Sequence, residues 1–182
     1  MTQSLLHQKL KLFLPVAILA ICFNLSASLH AEESKKAVAV LTAMSDSSVA
    51  GTFHFELTDA GIKITGTVTG LTPGKHGFHV HQYGDLTKAD GTSAGGHFNP
   101  HGSEHAGPHA DHRHVGDLGN IVADESGTAV VSIVDTQLTF SGDNSIIGRS
   151  VVVHAGEDDL SSQPSGAAGA RVAVGVVGIA AP

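Results

Sequence analysis

The chain has 182 residues, 41% hydrophobic and 15% charged, with a formal net charge of −7. That supports one buried domain, is short for two, and lies outside the composition of disordered chains. The acidic balance argues against nucleic acid as a partner, and a single cysteine, Cys22, excludes a disulfide framework.

The first element is a leader. Lys9 and Lys11 precede an apolar run, Leu12 to Phe23, and the small, polar stretch NLSASLHA follows. This is the layout of a secretory signal peptide, and the run is short for a bilayer span. Cleavage is expected after Ala31, with Ala27 and Ser28 as alternatives, so residues 1–31 form the signal peptide and 32–182 the working domain. An uncleaved anchor is the competing reading. Attachment as a lipoprotein through Cys22 is disfavoured, because Ile21 before it is not small. Cleavage removes the cysteine and two of the ten basic residues, leaving eight against 17 acidic, a net of −9. The mature chain is expected in the periplasm or the extracellular space, with no stable membrane association.

Beyond EESKK, short runs with period-two alternation or β-branched enrichment predict eight strands. They lie near Ala37–Thr42, Gly51–Leu57, Ile62–Thr69, Gly77–Tyr83, Asp117–Val122, Thr128–Val134, Arg149–His154 and Arg171–Ile179. TDAG and ADESG read as hairpin turns. The fold class is all-β, a sandwich or flattened barrel. Two long polar interruptions, Gly84 to Gly116 and Ala155 to Ala170, are expected to be functional, because loops of that length are otherwise uncommon.

Histidines concentrate around the first interruption. In GFHVHQYG, His79 and His81 alternate, so both imidazoles share one face of a strand. Alone, the pair fits a chelate or two exposed polar residues equally well. The stretch HFNPHGSEHAGPHADHRHVGD carries six histidines, His97, His101, His105, His109, His112 and His114, and closes on Asp117. It has almost no apolar residues and is broken by Gly102, Gly107 and Pro108, so it reads as a loop able to wrap donors around an ion. Imidazole and carboxylate suit zinc, and imidazole suits copper. His154 ends the apolar run SVVVH, at a barrel rim.

Taken together, GFHVHQYGD, TSAGGHFNP, HAGP…RHVGDLGN, IIGRSVVVH, DDL and GARVAVGVVGIA resemble the copper/zinc superoxide dismutases, over nearly everything after the leader. The spacing is specific: His97 stands eight positions before His105, which stands nine before His114 and twelve before Asp117. The resemblance implies an eight-stranded Greek-key β-barrel with two functional loops. It implies copper on His79, His81, His97 and His154, and zinc on His97, His105, His114 and Asp117, with His97 a deprotonated bridge. Asp158 would link His79 to His105, and Arg171 would stand beside the copper. The implied reaction disproportionates superoxide to dioxygen and hydrogen peroxide, with His97 and Arg171 as its catalytic residues. GVVGIAAP and SIIGRS resemble the family's dimer-forming segments, so a homodimer is expected.

The chain departs from the family in three places, one of them a segment between His81 and His97 that is one residue longer than the resemblance leads us to expect. The family's disulfide, which pins the first long loop to the last strand, falls at Gly91 and Val174, so zinc binding is expected to offset its loss. The second loop is shorter and SSQPSGAAGA is uncharged, so attraction of the substrate anion is expected to rest on Arg171 and the metal. His101, His109 and His112 match no ligand position. His54 is expected on a strand and His76 in a turn. A non-catalytic metal buffer on the same fold is the main alternative, but it needs neither Asp158 nor Arg171. A copper-only relative is disfavoured because every zinc ligand is present.

Overall fold

A computed structural model describes residues 35–181, so the predicted signal peptide lies outside the described residues. The strands are β1 (Lys36–Ala43), β2 (Ala50–Thr58), β3 (Gly61–Thr69), β4 (Gly74–His81), β5 (Asp117–Ala123), β6 (Ala129–Asp135), β7 (Ser150–His154), β8 (Arg171–Val176) and β9 (Gly178–Ile179). They pair antiparallel in the order β5-β4-β7-β8-β1-β2-β3-β6, with β9 beside β1. The links from β3 to β4 and from β6 to β7 cross between the two halves, which gives the Greek-key form. The two ends of the order, β5 and β6, are joined by a tight turn in which Asp124 Oδ1 accepts from the N–H groups of Ser126 and Thr128. The result is a nearly closed eight-stranded barrel.

Two expectations need correction. The predicted strand Arg171–Ile179 is two strands, because Val177 turns aside. Its N–H donates to Arg149 O and its carbonyl accepts from Gly148 N, both at 2.9 Å, and the chain then rejoins β1 as β9. The fourth strand starts at Gly74 rather than Gly77. Pairing of Lys75 with Val122 and His76 with Ile121 overrides the turn-forming composition there, so His76 is a buried strand residue and not a turn residue.

Alternation builds the interior. Phe53 and Phe55 of β2, Ile62 and Ile64 of β3, Phe78 and Val80 of β4, and Val151 and Val153 of β7 all point inward and are buried. The rings of Phe53 and Phe78 meet across the barrel with centroids 4.6 Å apart. Burying each such side chain contributes about 1.5–3 kcal/mol. β7 differs from β2 and β3 in being buried on both faces. Its outward Val152 packs with Met44, Ala94 and Val174, and Leu86 lies against them, so the first long loop covers the outside of β7 and β8.

That cover is tied down without a covalent bond. A Cβ on Gly91 would lie 3.1 Å from Val174 Cγ2, so the two positions adjoin. Arg171 donates to the carbonyls of Gly91 and Gly95, and Ser45 N donates to Ala89 O at 2.9 Å.

Candidate metal centre

Strand parity places the first donors. With Phe78 and Val80 inside, His79 and His81 project from the opposite face of β4, beneath the loops, and both are buried. On β7 the same parity turns His154 outward with Val152, and a bulge sets it opposite Arg171 of β8. Asp117 opens β5 and pairs with His79. His97 reaches the site by a short bridge to His81, and its neighbour Phe98 exchanges backbone hydrogen bonds with Val80 and Gly116. Residue 116 must be glycine for this, since a Cβ there would sit 2.1 Å from Val80 O. Phe98 is buried with the Arg149 guanidinium 3.5 Å over its ring.

Two sets of donors result: His79, His81, His97 and His154; and His97, His105, His114 and Asp117. Within each set the donor atoms lie within 4.8 Å of one another. His97 belongs to both. Its Nδ1 is 2.7 Å from Asp117 Oδ1, while its buried Nε2 has no hydrogen-bond partner among the described residues. The Nδ1 atoms of His105 and His114 meet the same carboxylate oxygen at 3.0 and 3.1 Å.

The other ring nitrogens are held from outside. His79 Nε2 donates to Asp158 Oδ2 (2.7 Å), and His105 Nε2 donates to Asp158 Oδ1 (2.9 Å). His81 Nδ1 donates to Gly95 O (2.9 Å), and His154 Nδ1 to Gly169 O (3.0 Å). These partners leave His79 Nδ1, His81 Nε2 and His154 Nε2 as lone-pair donors toward the first set. His79 Nδ1 is buried without a hydrogen-bond partner, and His105 Nδ1 in the second set, though 3.0 Å from Asp117 Oδ1, is not aligned to hydrogen-bond it. Buried polar atoms are rarely left so, and a bound cation satisfies them.

The electrostatics suit cation binding. Burial drives the pKa values of His79 and His81 well below the ordinary range, with neighbouring imidazoles adding to the effect. Burial lowers His154 to about 4 and also lowers His114. These rings are therefore neutral at pH 7, the form a metal needs. Burial would raise Asp117, but the His97 hydrogen bond and the nearby imidazoles outweigh it and hold the carboxyl at about 2. The donors fit copper and zinc: four imidazoles in one set, three imidazoles and a carboxylate in the other.

A cleft of about 450 Å³ opens onto the first set, lined by His81, His97, His154, Asn99, Ser165 and Arg171 among others. Arg171 is the one permanently charged side chain lining it among the described residues. Its guanidinium is aimed by two carbonyls, and Gly95 O also takes the His81 bond, so one loop atom orients both residues.

The remaining histidines lie apart. His101, exposed, reaches Asn144 Oδ1 at 2.8 Å. His109, His112 and His54 are exposed. His76 supports the site indirectly, its Nδ1 donating to the His154 carbonyl (2.8 Å). Sequence reasoning also missed Arg113. It is buried, pairs with Asp135, and donates to the carbonyls of His114 and Val115 (2.9 and 3.0 Å), which fixes the turn carrying His114. Its only signal was an arginine among histidines.

Comparison with known proteins bears on the same residues. The family model for copper/zinc superoxide dismutase matches residues 49–177. An extracellular copper–zinc superoxide dismutase of Brugia pahangi is 47% identical over 168 residues, covering 87% of this chain and 84% of that protein. An extracellular copper–zinc superoxide dismutase of Onchocerca volvulus is 47% identical over 167 residues, covering 86% and 82%. The crystal structure of the clock protein EA4 aligns with a TM-score of 0.75 at 42% identity, covering 81% of this chain and 96% of that one. A barrel of this topology, two donor sets sharing one imidazole, and a family match spanning most of the chain lead to one conclusion: this chain belongs to the copper/zinc superoxide dismutase family.

Proposed function

We propose that this chain disproportionates superoxide outside the cell, with copper on His79, His81, His97 and His154 and zinc on His97, His105, His114 and Asp117. The observation that carries the assignment is His97, a single buried ring whose two nitrogens face two different donor sets. When bound, copper supplies the one-electron exchange that takes an electron from one superoxide and returns it to the next, while zinc supplies redox-inert charge. The residues do the rest. His97 Nε2 is the atom that can hold a proton for the peroxide product. Asp158 fixes the tautomers of His79 and His105 by accepting from both Nε2 atoms. Arg171 holds the substrate anion in the cleft by charge and paired donors.

Extracellular action is supported by the leader-like N-terminus and by the relatives described as extracellular. A homodimer through the face around Gly84 and Gly148 is supported by its apolar exposure. Tyr83 is 59% exposed and Val176 37%, and Val176 lies against Gly84. Tyr83→Glu should shift the protein to monomer in sedimentation; a wild-type chain that sediments as a monomer would dispose of the dimer.

The decisive test of function is superoxide consumption by purified protein of defined metal content. The wild type should consume superoxide rapidly and His97→Ala should be severely impaired. An unimpaired variant would remove the bridging role, and metal binding without consumption would favour a metal buffer.

A further inference from the structure

His105 sits in a stretch held by side chains: Asn99 bonds both main-chain groups of Ser103, and Ala106 N donates to Asp117 Oδ2 at 3.2 Å. Among the described residues, 102–106 make no backbone–backbone hydrogen bond. The N–H and carbonyl of His105 itself are held from the second long loop. Its N–H donates to Gln163 Oε1 at 2.8 Å, and Gln163 Nε2 donates back to its carbonyl at 2.8 Å. One side-chain amide thus pairs with both main-chain groups of one residue, as a neighbouring strand would. The same amide nitrogen is 3.3 Å from Ser161 O, which braces it within its own loop. Five residues earlier in that loop, Asp158 holds the His105 ring. Main chain and ring of this donor are therefore positioned by one segment.

We propose that Gln163 is a positioning residue for the second donor set: its amide clamp fixes the direction of His105 Nδ1 and so sets how long a cation stays there. The inference rests on the zinc assignment above. His105 Nδ1 can approach a shared point only if its Cα is held. Asp158 alone fixes the far side of the ring, and the anchors on either side, Asn99 on Ser103 and Asp117 on Ala106 N, leave the N–H and carbonyl of His105 itself unpaired. Loss of an outer partner of a metal ligand typically weakens binding about 10–100-fold. The clamp should act on zinc more than on copper, since His79 keeps its Asp158 bond without it.

Gln163→Ala removes both bonds, and Gln163→Glu keeps the acceptor but sets a carboxylate against the His105 carbonyl. Zinc release from fully loaded protein to excess chelator at pH 7 should be about 10–100-fold faster in the alanine variant. It should also be faster than wild type in the glutamate variant. Cobalt placed in the zinc set should show altered visible bands in both, while the copper spectrum and the melting point of metal-free protein stay as in wild type. Unchanged zinc release and cobalt bands in both variants would overturn the inference, as would an equal fall in metal-free and zinc-loaded stability without faster release. Failure of the wild type to take up zinc would overturn the zinc assignment itself.

Discussion

Gly166 gives a sharp test of how closely the second loop is fitted over the centre. Its φ is +66°, and a Cβ added there would lie 1.7 Å from Asp158 Oδ1 and 2.7 Å from His105 Nε2. Gly169, three residues on, has φ +81° but nothing within 4 Å of its added Cβ. Gly169→Ala therefore carries only the cost of a left-handed backbone, about 1–2 kcal/mol. Gly166→Ala carries that cost and must also push Asp158 off His105. A buried N–H left without its acceptor adds about 1–3 kcal/mol. The pair should differ by that second amount in zinc-loaded protein, and each kcal/mol moves Tm by roughly 2–4 °C in a domain of this size. Thermal unfolding, with zinc release to a chelator in parallel, measures both consequences. Equal melting points for the two variants, with zinc retained equally, would refute the view that the Gly166 backbone seals the Asp158–His105 bond.

Three further outcomes are expected. Metal-free protein should lose stability as pH falls from about 6.5 toward 4, because the unfolded chain protonates His154 near 6.5 while the folded one holds it neutral down to about 4. That site alone is worth about 3 kcal/mol in the window, and a flat pH profile in urea unfolding would contradict it. Metal-free protein should melt far below the zinc-loaded form, and thiol reductant should shift neither, since the one cysteine of the chain is Cys22, within the predicted signal peptide. Equal melting points with and without zinc would defeat this. The catalytic rate should fall only gently with added salt, because Arg171 is the one permanently charged side chain lining the cleft among the described residues. A steep fall would show that more distant charges guide the substrate.

Strand positions were legible because one face of each strand had to be apolar. Phe53, Phe55, Ile62 and Ile64 announce the interior by alternation, and SVVVH announces a strand buried on both faces by its lack of alternation. The breaks in that reading came where pairing overrode composition, at Gly74 to His76 and at Val177. The same parity brings His79, His81 and His154 out on one side, so part of the centre follows from local rules alone.

The amino-acid order by itself determined the kinds of donor, their spacing, and the loops needed to bring them together, because residue chemistry and strand period are local properties. Only the tertiary structure decided which nitrogen of each ring faces inward. That choice is made by partners far away in the chain: Asp158 for His79 and His105, and the carbonyls of Gly95 and Gly169 for His81 and His154. It also decided that Gln163, in a stretch that reads as featureless, grips a donor 58 residues away. A hydrogen bond depends on distance and angle in space, and those exist only once the barrel has set the two loops side by side.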